Sequence, residues 1–144
     1  MKRVPYAVFA LVLLLLLPGA SAAQDVQSLI DQGMQASQAG RYDQALQAFD
    51  QALKLKPNDP ALISYKATVY YAKGNNPQAL QLCEQIIKQN PNFGRAYYQR
   101  AMILEKQEKY DQAVVDLQKA KSLGYGIDPD FIELIKRKAE AQQK

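Results

Sequence analysis

Apolar positions recur along this chain every three to four residues, and short polar turns break the pattern at regular intervals. Val26, Leu29, Ile30 and Gly33 share one face of a helix predicted from Asp25 to Gln38. Gly40 turns the chain. Tyr42, Ala45, Leu46, Phe49, Ala52 and Leu53 then follow at helical spacing on a second helix. Pro57-Asn58-Asp59-Pro60 ends that pair. Asp59 can accept the free N–H groups of the next helix, and Pro60 suits a first turn where no N–H is needed.

A third helix carries Leu62, Tyr65, Val69 and Tyr70, with Ala67 as its small contact residue, and stops at Gly74. Asn76 reads as the cap of the fourth helix and Pro77 as its opening, with Ala79, Leu80, Cys83, Ile86 and Ile87 as the buried stripe. The fifth helix carries Tyr97, Ala101, Ile103 and Leu104. The sixth carries Tyr110, Ala113, Val114, Leu117 and Ala120. Asp128-Pro129 caps and opens a last amphipathic helix, about 129–142, with Phe131, Ile132, Leu134, Ile135 and Ala139 on one side.

The pattern is periodic over a longer interval as well. Gly74, Ala79 and Pro91 lie 34 residues after Gly40, Ala45 and Pro57, and Tyr110-Asp111-Gln112-Ala113 repeats Tyr42-Asp43-Gln44-Ala45 at twice that distance. A fixed period of this length means stacked helical units rather than one irregular core. The units run over 26–59, 60–93 and 94–127. The last helix covers the exposed end, which an array of this kind requires for solubility.

The first residues are of another kind. Lys2-Arg3 precedes an apolar run from Tyr6 to Leu17, and Ala20-Ser21-Ala22 offers a small-x-small cleavage pattern. These features predict a secretory signal peptide over 1–22, cut between Ala22 and Ala23, and a periplasmic or secreted protein made of residues 23–144. Twelve apolar residues fall short of the roughly 20 a spanning helix needs, so an N-terminal anchor is the weaker alternative and no span is expected in the mature chain.

Composition then removes several functions. Without residues 1–22 the chain has 16 basic and 14 acidic residues, too balanced for a nucleic-acid footprint. Lys136-Arg137-Lys138 is the one dense basic cluster, and it reads as a solvated helix face. There is no histidine, which removes the commonest general base and metal ligand. The single cysteine, Cys83, sits on a buried stripe where it acts as a small hydrophobe. Asp128, Asp130 and Glu133 match no calcium-loop spacing. No enzymatic activity, metal or cofactor is expected.

The recurring residues resemble the tetratricopeptide repeat family. Gly33, Tyr42, Ala45, Phe49, Ala52 and Pro57 stand at the family's places in the first unit. Ala67, Tyr70, Ala79 and Pro91 do so in the second, and Ala101, Tyr110, Ala113, Leu117 and Ala120 in the third. Two departures stand out: Cys83 and Ile86 replace an aromatic and an alanine, and Leu123-Gly124-Tyr125-Gly126 replaces the third unit's proline. The resemblance implies an all-α, right-handed α-solenoid of three helix-turn-helix units plus a capping helix. It also implies a concave groove, lined by the first helix of each unit, that receives a peptide or partner helix.

Carried over by position, that groove is Gln27, Ile30, Met34 and Gln38, then Ser64, Thr68 and Tyr71, then Arg95, Tyr98 and Met102. In the pairs Tyr70-Tyr71 and Tyr97-Tyr98, one member can be buried and the other free. One subclass of the family holds chaperone C-termini with a clamp of Lys, Asn, Asn, Lys and Arg. Those places here are Ile30, Met34, Tyr65, Arg95 and Gln99, so one cation remains and the clamp is absent. The expected role is an exported adaptor for a protein or peptide partner, in an envelope or secretion-related assembly. The alternative is a structural repeat protein that self-associates.

Overall fold

A computed structural model describes residues 18–144, with side-chain surroundings from Asp25 onward. Among these residues it contains seven helices and no strand: α1 (Pro18–Gln38), α2 (Tyr42–Leu55), α3 (Pro60–Ala72), α4 (Asn76–Gln89), α5 (Gly94–Lys106), α6 (Tyr110–Ser122) and α7 (Pro129–Gln142). Consecutive helices pack against one another. α3 also touches both α1 and α5, so these three form an inner layer. The architecture is a solenoid of helix-turn-helix repeats.

α1 is helical from the first described residue, Pro18, and so extends upstream of the expected Asp25. The predicted signal peptide and its cleavage point lie outside the residues whose surroundings are described.

The turns after α1 and α3 share one chemistry. Gly40 and Gly74 have φ of +71° and +83°, and the next N–H reaches back five residues, Arg41 to the Ala36 carbonyl and Asn75 to that of Tyr70. This closure needs a left-handed residue, which glycine takes without a Cβ penalty. Asp59 and Asp128 cap α3 and α7 as expected, accepting from Ala61 and Leu62, and from Asp130. The cap of α4 is Asn75, not Asn76. Its side chain accepts from Gln78 N–H, while Asn76 is already the first helical residue.

Small residues set the spacing. Ala45, Ala79 and Ala113 are all fully buried, one per repeat, where helices cross. Phe49 is buried against Gly33, and Tyr65 stacks on it at 5.4 Å between ring centroids. In the third repeat a charged residue joins the core: Asp116 is 4% exposed and receives both Nε and Nη2 of Arg100 at 2.7 Å, tying α6 to α5. On α7, Ile132, Ile135 and Ala139 are buried as expected. Leu134 points outward at 49% exposure.

Candidate functional site

The inner layer of α1, α3 and α5 carries two neighbouring cavities. The smaller, about 140 Å³, is lined by Met34, Ser37, Gln38, Phe49, Tyr65, Thr68, Val69 and Arg95. The larger, about 260 Å³, is lined by Ala67, Thr68, Tyr71, Cys83, Arg95, Tyr98, Gln99, Met102, Ile103 and Tyr125. Thr68 and Arg95 belong to both, so the two form one furrow.

They are also the same place in successive repeats. Met34, Ser37, Phe49, Tyr65, Thr68 and Val69 line the first. Moved on by 34 residues they become Thr68, Tyr71, Cys83, Gln99, Met102 and Ile103, all of which line the second. The second is larger where Cys83 stands in place of Phe49.

No aspartate or glutamate lines either cavity. The Arg95 guanidinium lies 4.9 Å from the Tyr65 ring centroid, and the Lys106 ammonium 4.8 Å from that of Tyr71. Neither forms an ion pair among the described residues. Cations over aromatic faces are stabilised by the ring quadrupole and keep their charge available.

Tyr98 packs on Tyr125 at 5.1 Å between centroids. Burial, then Tyr125 and Tyr71, push the Tyr98 hydroxyl above its ordinary range, so it stays a neutral donor. Tyr125 comes from the turn after α6, where the repeat's usual proline is replaced.

Gln99 braces the floor. Its Nε2 donates to the Ser64 carbonyl at 3.0 Å and to Thr68 Oγ1 at 2.7 Å, while its Oε1 accepts from Ser64 Oγ at 2.7 Å. These bonds commit Gln99 to α3 and leave little of its amide for a ligand.

Of the ten residues expected in the groove, seven line the furrow: Met34, Gln38, Thr68, Tyr71, Arg95, Tyr98 and Met102. Three do not. Ser64 is fully buried under Gln99. Gln27 is exposed on the outer turn of α1 and bonds Asp31, and Ile30 is half-buried outside both cavities. Sequence reasoning missed Tyr125 and the cavity floor at Cys83 and Gln99. The signal was present as the two departures from the repeat pattern. The tyrosine pairs divide unevenly: Tyr97 is buried and donates to the Pro91 carbonyl, leaving Tyr98 in the cavity, whereas Tyr70 and Tyr71 are both half-buried.

Two family models described as tetratricopeptide repeat match this chain, over residues 36–103 and 94–123. Together they run from 36 to 123, more than half of the chain. The chain is 37% identical, over 67% of its length, to 18% of the tetratricopeptide repeat and J domain-containing co-chaperone DNJ1 of Cryptococcus neoformans. It is 31% identical, over 83% of its length, to 22% of a DnaJ homolog subfamily C member 7 homolog of Dictyostelium discoideum. The chain spans a third or less, 16% to 32%, of the length of the curated relatives it matches.

Among solved structures, the first tetratricopeptide domain of Spaghetti (RPAP3), bound to the HSP90 peptide SRMEEVD, has a TM-score of 0.71 at 19% identity. That match covers 84% of this chain and 95% of the domain, and at such identity it shows the fold.

The relatives also correct the expected location. Among them are a J domain-containing co-chaperone and Hsp70-Hsp90 organizing proteins, company that conflicts with an exported, periplasmic or secreted chain. These relatives lend no support to an envelope or secretion-related assembly. Among the described residues, no helix is long and apolar enough to cross a membrane.

Proposed function

The chain belongs to the tetratricopeptide repeat family, and we propose that it is a protein-interaction module holding an extended peptide of a partner along the furrow of α1, α3 and α5. One observation carries this reading: successive repeats present the same cavity on the same layer, joined at Thr68 and Arg95. A furrow with a repeating register fits an extended chain, whose side chains also come at regular intervals.

Binding is shape and apolar burial with charge selection, and no bond is made or broken. Repeat adaptors of this kind are protein-binding modules without catalysis of their own. The neighbour that holds SRMEEVD makes a chaperone tail a natural first probe. This chain offers Ile30, Met34, Tyr65, Arg95 and Gln99 where a carboxylate clamp would stand. A terminal carboxylate therefore finds one cation, and the furrow is read as a site for an internal segment of a partner.

The test is affinity capture with the full chain beside a variant carrying Tyr71→Ala, Arg95→Ala and Tyr98→Ala. A partner held by the first and lost by the second upholds the reading. Partners held equally by both would move the site off the furrow.

A further inference from the structure

Phe49 and Cys83 occupy the same place in successive repeats, and the difference between them is a cavity. In the first repeat the Phe49 ring fills the space between α1 and α3, with Gly33 beneath it and Tyr65 stacked on it. In the second, Cys83 and Ala67 take the places of Phe49 and Gly33, and about 260 Å³ stays open above them. The walls are Tyr71, Tyr98 and Met102, and Tyr125 closes the end through its contact with Tyr98. An apolar, aromatic-walled space of this size, one repeat away from where the chain places its own phenylalanine, is shaped for a large apolar side chain from outside.

The charges beside it have one sign. Arg95 and Lys106 flank Tyr98 and Met102 on α5, at intervals that keep all four on one face of the helix. Both cations lie over aromatic rings without a carboxylate partner, and no acidic side chain lines the cavity. Eleven residues of helix separate them by about 16 Å. An extended peptide crosses that span with about five residues.

We propose that this cavity is an anchor pocket for one aromatic or long aliphatic side chain of an acidic peptide segment, whose flanking carboxylates are held by Arg95 and Lys106. The proposal rests on the furrow being the binding face and adds the class of sequence it takes. It needs no free C-terminus, since both carboxylates belong to side chains.

A random dodecapeptide library displayed on phage, selected on the full chain, provides the probe. The enriched peptides are expected to carry Phe, Tyr, Trp, Leu or Met with Asp or Glu within three residues on each side. Synthesised with both ends capped, they should bind the Ala67→Gly/Cys83→Phe double variant at least about tenfold more weakly, because that variant rebuilds the filled first repeat inside the pocket. Arg95→Glu/Lys106→Glu should lose a similar factor and shift a fresh selection toward Lys and Arg flanks. Melting curves of both variants establish that they are folded, and Val115→Ala, on the exposed face of α6, should bind like the parent.

Different failures separate the two readings. Peptides that lose binding to Thr68→Arg but follow no anchor or charge rule would overturn the pocket and leave the furrow standing. A consensus rich in Lys and Arg would overturn the charge assignment and with it the proposal. Peptides indifferent to every furrow substitution, or no enrichment at all, would overturn both.

Discussion

Gly33 on α1 lies so close to the ring of Phe49 on α2 that a Cβ added to it would come within 2.6 Å of Phe49 Cε1. The first repeat therefore requires a residue without a side chain at that point. Phe49 is 1% exposed and stacked on Tyr65, so a shift of its ring disturbs that stack.

Gly33→Ala pits two effects against each other. Alanine in place of a helical glycine favours the helix by up to about 1 kcal/mol. Overpacking a tight core contact costs about 1–3 kcal/mol. The contact wins, so chemical denaturation should show a net loss of stability. A gain would mean that α1 and α2 approach less closely than described.

Arg100 and Asp116 make the second prediction. Asp116 accepts two hydrogen bonds in a nearly buried setting, and that pairing raises the Arg100 guanidinium above its already high ordinary value. Asp116→Ala leaves the arginine half-buried without its partner and should cost about 3 kcal/mol, the low end for a broken buried pair. Arg100→Met/Asp116→Leu removes both charges and should lie close to the parent. Equal losses in the two variants, read by urea midpoint, would contradict the assignment.

Cys83 gives a pH dependence. Burial pushes its thiol up from 9.0 to about 12, with Arg100 opposing and Asp116 adding. The folded value lies above the unfolded one. The stabilisation is therefore complete below pH 9.0 and is lost as pH rises from there to about 12. Compared with Cys83→Ala, the parent should lose more stability between pH 8 and pH 10.5. A thiol reagent at pH 8 should label Cys83 no faster than the chain unfolds. Rapid labelling of the folded protein would contradict the burial.

The sequence made the repeat legible because its signals are local. Stripes of spacing three to four, Asp59 and Asp128 before prolines, and alanines 34 residues apart each depend on a few neighbouring residues. What escaped depends on partners far along the chain. Ser64 looks like a groove residue until Gln99, 35 positions later, covers it. Asp116 looks like a surface charge until Arg100 meets it. Leu134 fits the apolar side of α7 by period, yet the helix rolls so that Ile132, Ile135 and Ala139 face the core instead. The large cavity was visible only as an irregularity, cysteine in an aromatic's place. A missing side chain becomes a cavity only when nothing else collapses into the space.

The most direct test of a partner held along α1, α3 and α5 is site-specific photo-crosslinking. A benzophenone side chain is placed at Thr68, which both cavities share, or at Val115, which is 64% exposed on α6. Each is then irradiated with a peptide selected on the parent chain. Crosslinks from Thr68 and none from Val115 are the predicted result. Crosslinks from Val115 with none from Thr68 would place the partner on the outer helices and contradict the account.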